Sequence, residues 1–572
     1  MEKPVFLAEN GNTRYTVTLP RGAALAVHHA AEELARFLGE ITGARFPIAY
    51  DDGESRPVIA IGGAKAAREA GIDLAALGEE GYTLRTAGED LLIAANGPRG
   101  CLYGVYGLLE EHFGCRFFTE DVSRIPKRRS LRLPVLCETR IPALEYRDPY
   151  FQGYYDGDFH ARMMSNSNTA ALGEEHGFRM AYFPFVHTFY KLVPPEQYFA
   201  EHPEYYALVG GKRVGEGAQL CLTNPEVLRI AIAQVRAWLR EHPHTRIVSV
   251  SQNDYYNFCT CDRCREVDEA EGSHAGTLLR FVNAIAEDVE RDYPDVIIDT
   301  LAYQYTRTAP KLTKPRKNVC VRLCSIECCF AHPLEECGKN CHYWDDRIVL
   351  GSFTDDLRDW AKICDRLYIW DYVVNFAHTL QPFPNLHVLQ PNIRFFIKNH
   401  VRGIFEEGNN STRESGELNA LRQYLLGHLL WDPDFDVERG TAEFLNAYYG
   451  MAAHEVAAYI RLIHAQLTDD THMWIFDGPD APYLPEAMLD EAERIFDRAE
   501  LLADDDEVLL RVRKLRLSVR YVRLARMPKD APGRTDALEA FFEEVRACGV
   551  TSYREGRDLG YTEALLREGP LV

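Results

Sequence analysis

Short apolar or aromatic runs alternate with helical segments between residues 141 and 432, and this alternation constrains the fold more than any other feature. The candidate strands are 143–147, 180–186, 247–252, 296–303, 319–326, 367–372 and 402–406, with one more near 168–172 or 219–223. Amphipathic patterns such as PEVLRIAIAQVRAWLREH lie between them. Eight such units in about 290 residues predict a (β/α)8 TIM-like barrel. A doubly wound open sheet is the alternative.

Different patterns flank this region. Residues 1–135 predict a small α+β domain, with strands at 14–20, 58–62 and 91–95 and a helix that stops near Gly43. From residue 436 to residue 572 helical stripes dominate, which predicts a helical C-terminal domain. The predicted α/β chain therefore has three parts, with a catalytic barrel at 141–435.

Charge and cysteine content limit the partners and the compartment. The net charge is −22, which disfavours nucleic acid and anionic lipid. The N-terminus lacks a signal-like pattern and no apolar run approaches a membrane span, so we expect a cytoplasmic protein without a membrane partner. Nine of the 15 cysteines fall between Cys259 and Cys341, unlike an even disulfide framework. A homo-oligomer is compatible with this composition.

Acidic residues follow four of the predicted strands. Asp254 follows the strand at 247–252, Glu327 the strand at 319–326 and Asp371 the run ending in Trp370. The strand at 402–406 runs into Glu406 and Glu407 at its carboxyl end. Because barrel active sites form at the carboxyl ends of the strands, these acids predict a mouth rich in carboxylates. Tyr255, Tyr303, Trp370 and Tyr372 add aromatic faces, so sugar hydrolysis is the leading chemistry.

Each acid also has a structural interpretation. Asp254 could cap a helix or hold a loop, with Asn253 sharing that role, and Glu327 sits among cysteines. Asp371 is the stronger candidate, because an unpaired charge after an apolar run is costly without a function. Neighbouring strand residues face opposite ways, so only one of Glu406 and Glu407 can point into the mouth. Two like charges so close would raise one pKa, as a general acid requires.

Other polar residues on strand-end loops are candidate sugar contacts. His187 and His378 are flanked by aromatic residues, and each could equally be a core histidine. Arg147 and Asp148 could bind sugar or form a structural ion pair. The complete candidate set for substrate binding is Tyr255, Trp370, Tyr372, Asn375, His378, Asn409, His187, Arg147, Glu327 and Tyr303.

The cysteines form a second candidate constellation. Cys259, Cys261 and Cys264 are closely spaced, and Cys320, Cys324, Cys328, Cys329, Cys337 and Cys341 follow, with His332 and His342 among them. A structural zinc, a disulfide and free thiols all remain open, since the spacing matches no standard zinc finger. No cofactor is otherwise expected, and a catalytic cysteine is disfavoured.

Several long motifs resemble a known family. HPEYYALVGGKR, QLCLTNPEV, SVSQNDYYNFCTCDRC, EGSHAGTLLRFVN, YIWDYVVNFAHTLQPFPNL, FEEGNN and LRQYLLGHLLWDP look like the domain of unknown function 4838, which is associated with glycoside hydrolase family 163. The resemblance covers roughly residues 140–436. The first domain, with GPRGCLYGVYGLLEE, resembles the domain that precedes the barrel in α-glucuronidases and β-hexosaminidases.

This resemblance implies a β-N-acetylglucosaminidase that acts by substrate-assisted retention, in which the substrate's 2-acetamido oxygen attacks the anomeric carbon. It implies an acid at Glu406 or Glu407, with acetamido or hydroxyl contacts among Asp254, Asp371 and Tyr372. The absence of a secretion signal favours glycan fragments over whole glycoproteins as substrates. An α-glucuronidase-like exo-glycosidase is the alternative, and it would need Arg147, Arg307 or Arg322 to converge on the pocket. A non-catalytic carbohydrate-binding barrel and a zinc-dependent hydrolase are further alternatives.

Overall fold

The computed structural model describes residues 5–51, 53, 57–151, 156–168, 171–337, 351–410, 415–569 and 571. Strands β1 to β10 are Val5–Ala8, Thr16–Leu19, Ile48–Tyr50, Val58–Ile61, Tyr82–Ala87, Asp90–Ala95, Arg116–Phe117, Ser123–Arg124, Leu131–Leu133 and Cys137–Arg140. Helices α1 to α3 are Leu25–Thr42, Ala64–Glu69 and Pro98–Gly107, and a π-helical segment, Leu108–His112, continues α3.

These elements build a mixed sheet in the order β10-β5-β6-β4-β2-β3. Strands β3, β2, β4 and β6 run parallel, and β5 runs antiparallel to both of its neighbours, β6 and β10. Helix α1 ends at Gly43, whose φ of 75° is the left-handed conformation that glycine adopts most easily. Helices α1 and α3 pack against each other and the sheet. The three strands and the helical stop predicted here are therefore present.

The central part contains a curled parallel sheet. Strands β11 to β18 are Tyr146–Tyr150, Leu208–Val209, Lys212–Arg213, Ile247–Ser249, Ile297–Ala302, Val319–Cys324, Leu367–Tyr372 and Val401–Glu407. Strands β12 and β13 form a separate antiparallel pair. The other six form one parallel sheet in the order β11-β18-β17-β16-β15-β14, so the first and last strands of the region lie side by side. A sheet can close into a barrel only if its first and last strands come together, and β11 and β18 do so here.

Two predicted strands differ from the sequence-based expectation. Residues 180–186 contribute a single parallel bridge, Tyr182 to Ile247, and Pro184 within this run has no N–H to donate to a ladder. The range 219–223 is not a strand, because Leu220 makes only an antiparallel bridge to Tyr206. In the other range, 168–172, residues 169 and 170 lie outside the described residues.

Irregular hydrogen bonds span the remaining side of the curled sheet. The Asn166 N–H donates to the Arg147 carbonyl at 3.3 Å, and the Met180 N–H donates to the Asn166 carbonyl at 2.9 Å. The described residues therefore form a curled half-barrel of six strands, and the full eight-stranded barrel stays a prediction.

Helices surround this sheet. Helices α4 to α12 are Gly157–Arg162, Phe189–Leu192, Pro195–Tyr198, Pro225–Glu241, Asp262–Glu271, Ala275–Glu290, Phe353–Ala361, Leu386–Lys398 and Asn419–Trp431. The start of α7 follows from its sequence: Asn224 caps the Glu226 N–H at 2.9 Å, and Pro225 occupies the first turn. Helix α9 buries Leu278, Val282 and Ile285 on one face, as the helical period predicts.

The C-terminal part is helical, as predicted. Helices α13 to α18 are Val437–Tyr449, Ala453–His464, Glu486–Leu502, Asp506–Arg526, Arg534–Ala547 and Leu559–Glu568. One hydrophobic core runs through all three parts of the chain. Trp431 of α12, for example, stacks on Tyr82 of the N-terminal sheet at 6.1 Å between ring centroids. Among the described residues, no helix is both long enough and apolar enough to cross a membrane.

Candidate active site

Glu406 and Glu407 face opposite sides of the curled sheet. Phe405, which has the same orientation as Glu407, contacts Trp370, Tyr150 and Phe185 inside the curl. The Trp370 Nε1–H donates to Glu407 Oε2 at 2.7 Å. Glu407 therefore points into the interior at the carboxyl end of β18.

Burial controls the protonation of Glu407. Desolvation raises its pKa to about 8, helped by the nearby charges of Glu555 and Asp254, while the Trp370 hydrogen bond acts in the opposite direction. A carboxyl group with this pKa holds its proton at neutral pH, as a general acid must. Its side chain is still partly accessible, unlike that of Glu406.

Asp254, Tyr303 and His187 surround the same opening. Asp254 is exposed, and it accepts a hydrogen bond from the buried Tyr303 hydroxyl at 3.0 Å. The His187 ring lies 6.2 Å from the Tyr303 ring, and its Nδ1–H donates to the Gln252 carbonyl at 2.8 Å. This bond makes Nε2 the acceptor nitrogen of the neutral ring. Tyr255, 47% exposed, stands beside Asp254 at the rim.

A residue from the C-terminal part joins this opening. The charge of Glu555 acts on Glu407, and the Glu555 N–H donates to the Phe376 carbonyl at 2.8 Å in the loop after β17. Burial and the Asp254 charge raise the pKa of Glu555 as well. No signal in the sequence marks Glu555, because it lies in a helical region about 150 residues beyond the last barrel strand. We call Glu407, Asp254, Glu555, Tyr303 and His187 the mouth cluster.

Glu406 and Asp371 lie together behind the sheet. The two are register partners on β18 and β17, and Asp371 borders a small cavity with Val388 and Leu389 of helix α11. Burial and the Asp371 charge raise the pKa of Glu406 well above its ordinary value, and neither Glu406 oxygen has a hydrogen-bond partner among the residues that the structure describes. Burial raises the pKa of Asp371 to about 6, although the Ser325 hydroxyl donates to it. The structure therefore brings neither group to the mouth.

The floor of the interior is closed by a buried cation. The Arg322 guanidinium lies over the rings of Tyr182 and Phe185, at 4.6 and 4.9 Å, and 5.5 Å from the Trp370 ring. Arg322 Nε is 3.5 Å from Asp299, and both side chains have no exposed surface. This pair occupies the interior below Glu407, so Arg322 is engaged within the fold.

The other two arginines considered for uronate binding are also engaged. Arg307 Nε lies 2.7 Å from Asp356, and Arg307 Nη1 lies 3.4 Å from Glu327. Arg147 pairs with Glu80 of the N-terminal part at 2.7 Å. Glu327 is thus held by a buried cation, although its charge still acts on Tyr303 and Tyr372 near the mouth. The three arginines do not converge on one pocket.

Three further predicted contacts hold loops. Asn375 donates to the Asp477 carbonyl at 2.8 Å and accepts from the N–H groups of residues 377 and 378. His378 Nδ1 is 2.6 Å from the Tyr521 hydroxyl, and burial lowers its pKa to about 4. The Asn409 side chain donates to the Ser415 carbonyl. By contrast Tyr372, the register partner of Glu407, stacks beside Trp370 at 6.3 Å and lines the interior.

The cysteines separate into groups that the sequence did not distinguish. Cys259, Cys261 and Cys264 converge with Cys221, which sequence spacing missed because it lies 38 positions earlier. Cys329, His332 and Cys337 converge with His472 of the C-terminal part. Cys320 and Cys324 are buried in β16, and Cys341 and His342 lie outside the described residues. None of the cysteines within the described ranges is in a disulfide.

Solved structures of other proteins are similar to this chain in fold. One is described as a novel family GH115 4-O-methyl-alpha-glucuronidase, BtGH115A, with specificity for decorated arabinogalactans: it is 11% identical, the match covers 95% of this chain and 77% of that chain, and the TM-score is 0.59. Another, CpGH84D, is 12% identical with a TM-score of 0.50, covering 99% of this chain and 97% of that chain. At these identities the likeness shows the fold. No curated protein matches the sequence.

Family comparisons cover both the N-terminal sheet and the central region. Residues 11–108 match the glycosyl hydrolase family 67 N-terminus, in line with the predicted resemblance of the first domain. This match, together with the glycoside hydrolase structures, supports a glycosidase. Residues 117–461, more than half of the chain, match the domain of unknown function DUF4838. The chain therefore belongs to the DUF4838 family.

Proposed function

We propose that this chain is a retaining glycosidase of the glycoside hydrolase family 163 type, which cleaves a β-linked N-acetylglucosamine residue in glycan fragments. In the proposed reaction the acetamido oxygen of the substrate attacks the anomeric carbon while an enzyme carboxylic acid protonates the leaving oxygen. Water then opens the cyclic intermediate with retained configuration.

The observation that carries the proposal is the state of Glu407. It points into the interior at a strand end, it is partly accessible, and its pKa of about 8 keeps it protonated at neutral pH. We assign it as the general acid of the first step and the general base of the second. Glu406, its neighbour, is 1% exposed and faces the opposite side of the sheet beside its register partner Asp371, so it is not a candidate for the acid.

Asp254 is the candidate for orienting the acetamido group. It stands at the mouth, and the Tyr303 hydroxyl holds one of its oxygens, leaving the carboxylate positioned to accept the acetamido N–H. A negative charge there also stabilises the positive charge that develops on the cyclic intermediate. The His187 ring nitrogen Nε2 can accept from a sugar hydroxyl.

Aromatic faces supply the rest of the pocket. Trp370 and Tyr372 stack along the interior wall next to Glu407, and Tyr255 stands at the exposed rim. Such a lining with a few polar groups suits a ligand that has both apolar faces and hydroxyls. The α-glucuronidase alternative is less well supported, because Arg147, Arg307 and Arg322 are all engaged in buried ion pairs.

Hydrolysis of an aryl β-N-acetylglucosaminide and of a complex N-glycan tests the proposal. We expect wild type to cleave at least one of them, Glu407→Gln to lose about three or more orders of magnitude in kcat, and Glu406→Gln, the matched control, to keep its activity. Asp254→Asn should lose activity, and a thiazoline mimic of the cyclic intermediate should inhibit wild type. Sugar binding without turnover by wild type would instead support the carbohydrate-binding alternative.

A further inference from the structure

We infer that Cys221, Cys259, Cys261 and Cys264 bind a structural zinc ion. The four side chains come from two segments far apart in sequence, yet their sulfur atoms lie within 4.8 Å of one another. All four are buried, and together with Ala207 and Ala218 they form a small core of their own, separate from the main one.

The sulfur separations fit one tetrahedral ion. The Cys221 Sγ atom is 3.7 Å from that of Cys261 and 3.9 Å from that of Cys264. Four thiolates bound to zinc at about 2.3 Å have sulfur atoms about 3.8 Å apart. A disulfide needs about 2.05 Å between sulfur atoms, and it could use only two of the four converging thiols at a time.

The groups around the sulfurs are donors. The Leu208 N–H points to Cys259 Sγ at 3.4 Å, and Arg213 Nη1 lies 3.7 Å from the same sulfur. The Thr223 hydroxyl is 3.2 Å from Cys264 Sγ. Donors of this kind stabilise metal-bound thiolates and compensate the negative charge of a four-thiolate site. Cys261 also precedes helix α8, whose N-terminus adds a favourable dipole.

The site would brace the loop that carries Asp254. Gln219, two residues before Cys221, donates its side-chain N–H groups to the carbonyls of Asn253 and Tyr255, at 2.8 and 2.6 Å, and accepts from the Asn253 N–H. The loop with Asp254 is thus held on both sides. It leads into Cys259 of the cluster, and it is hydrogen-bonded to Gln219, whose segment leads into Cys221 of the same cluster. This consequence rests on the proposed function, whereas zinc binding itself does not.

Metal content of the purified full chain tests the site without any substrate. After passage over a mild chelator, we expect Cys264→Ser to hold about one zinc ion fewer per chain than wild type. Cys548→Ser, which changes a buried thiol outside any cluster, should match wild type. Cobalt substitution should give the strong visible absorption of tetrahedral cobalt thiolate, weakened in the Cys264→Ser variant.

Outcomes that overturn the site are equally direct. Zinc-free wild type from zinc-supplemented growth, with these thiols open to a thiol reagent, would refute it. An intact mass lower by two hydrogens, with a disulfide mapped to these cysteines, would do the same. If Cys264→Ser does not fold, the zinc content, thiol reactivity and intact mass of wild type still test whether the four cysteines bind zinc. For the loop, removing zinc should raise KM for the glycoside more than it lowers kcat.

A different observation carries a second zinc site. Cys329 Sγ is 3.6 Å from His332 Nδ1 and 3.3 Å from His472 Nδ1, and Cys337 Sγ is 3.9 Å from His472 Nδ1. Sulfur and nitrogen ligands of tetrahedral zinc lie about 3.6 Å apart. His332 Nε2 is 3.3 Å from the Thr468 carbonyl, so that nitrogen carries the proton and Nδ1 is free to bind metal.

This second site would join the loop after β16 to the C-terminal helical part. We expect His472→Ala to lower the zinc content by about one ion per chain, independently of Cys264→Ser. His454→Ala, a surface histidine outside the cluster, is the matched control. Equal zinc content in His472→Ala and wild type would overturn the second site and leave the first unaffected.

Discussion

In the proposed mechanism, Trp370 sets the pH range in which Glu407 acts as the general acid. Replacing it with phenylalanine keeps an aromatic face but removes the N–H that donates to Glu407 at 2.7 Å. That bond favours the charged carboxylate and so lowers a pKa that burial has raised from 4.5 to about 8. A hydrogen bond to a charged group contributes about 1.5–3 kcal/mol, and about 1.4 kcal/mol corresponds to one pKa unit. The pKa of Glu407 should therefore rise by about one to two units.

The basic limb of the pH profile of kcat/KM measures this shift. Activity of wild type should fall as pH rises through about 8, where Glu407 loses its proton, and the fall in Trp370→Phe should come at higher pH. Trp238→Phe is the matched control, because Trp238 lies on the outer helix α7 and does not contact Glu407. The basic limb of its pH profile should coincide with that of wild type. A limb in Trp370→Phe that stays in place or moves to lower pH would refute the assignment of Glu407.

Three further predictions concern the groups around this site. Glu406→Gln removes a buried acid whose folded pKa lies above its unfolded value. The folded wild type keeps a proton that the unfolded chain releases, so wild-type stability is lost as pH rises, and the Tm of the variant relative to wild type should increase over the pH range above about 5. A constant difference across that range would contradict this. Tyr303→Phe should lower kcat/KM by about 10- to 100-fold, because Asp254 loses its hydrogen bond. An unchanged kcat/KM would show that Tyr303 has no role in the reaction. Arg322→Met should lower the free energy of unfolding by about 3–5 kcal/mol in urea titrations by leaving Asp299 unpaired, and adding Asp299→Asn should recover part of it.

Sequence periodicity predicted the sheet well where strands are regular. The run 367–372 matches β17 residue for residue, and the helical C-terminal part was identified correctly. The prediction of regular strands failed at 180–186, where residues 181–184 make one bridge and irregular backbone hydrogen bonds to β14, and at 219–223, where Leu220 makes a single bridge. An apolar run in the sequence indicates that a segment is buried. It does not indicate whether that segment forms regular backbone hydrogen bonds with a neighbouring strand.

The site was predicted in part. Strand-end position placed Glu407, Asp254, Tyr303 and Trp370 at one edge of the sheet, and the structure brings them together there, because the carboxyl ends of parallel strands meet at one edge. It could not separate Glu406 from Glu407, since a shift of one residue in register exchanges the two faces of a strand. Glu555 comes from the helical region and reaches the mouth only through tertiary packing, which no local pattern encodes. His472 joins the Cys329 cluster in the same way.

The position of Glu555 at the mouth has a consequence for any attempt to engineer this enzyme. The C-terminal part donates a backbone hydrogen bond from Glu555 to the loop after β17, and the charge of Glu555 acts on Glu407, so this part contributes to the proposed site. A minimal barrel cut from the chain would lose that contribution along with the core it shares with the helices. Chimaeras of this chain that exchange the central and C-terminal regions together should accordingly retain activity better than those that exchange either region alone.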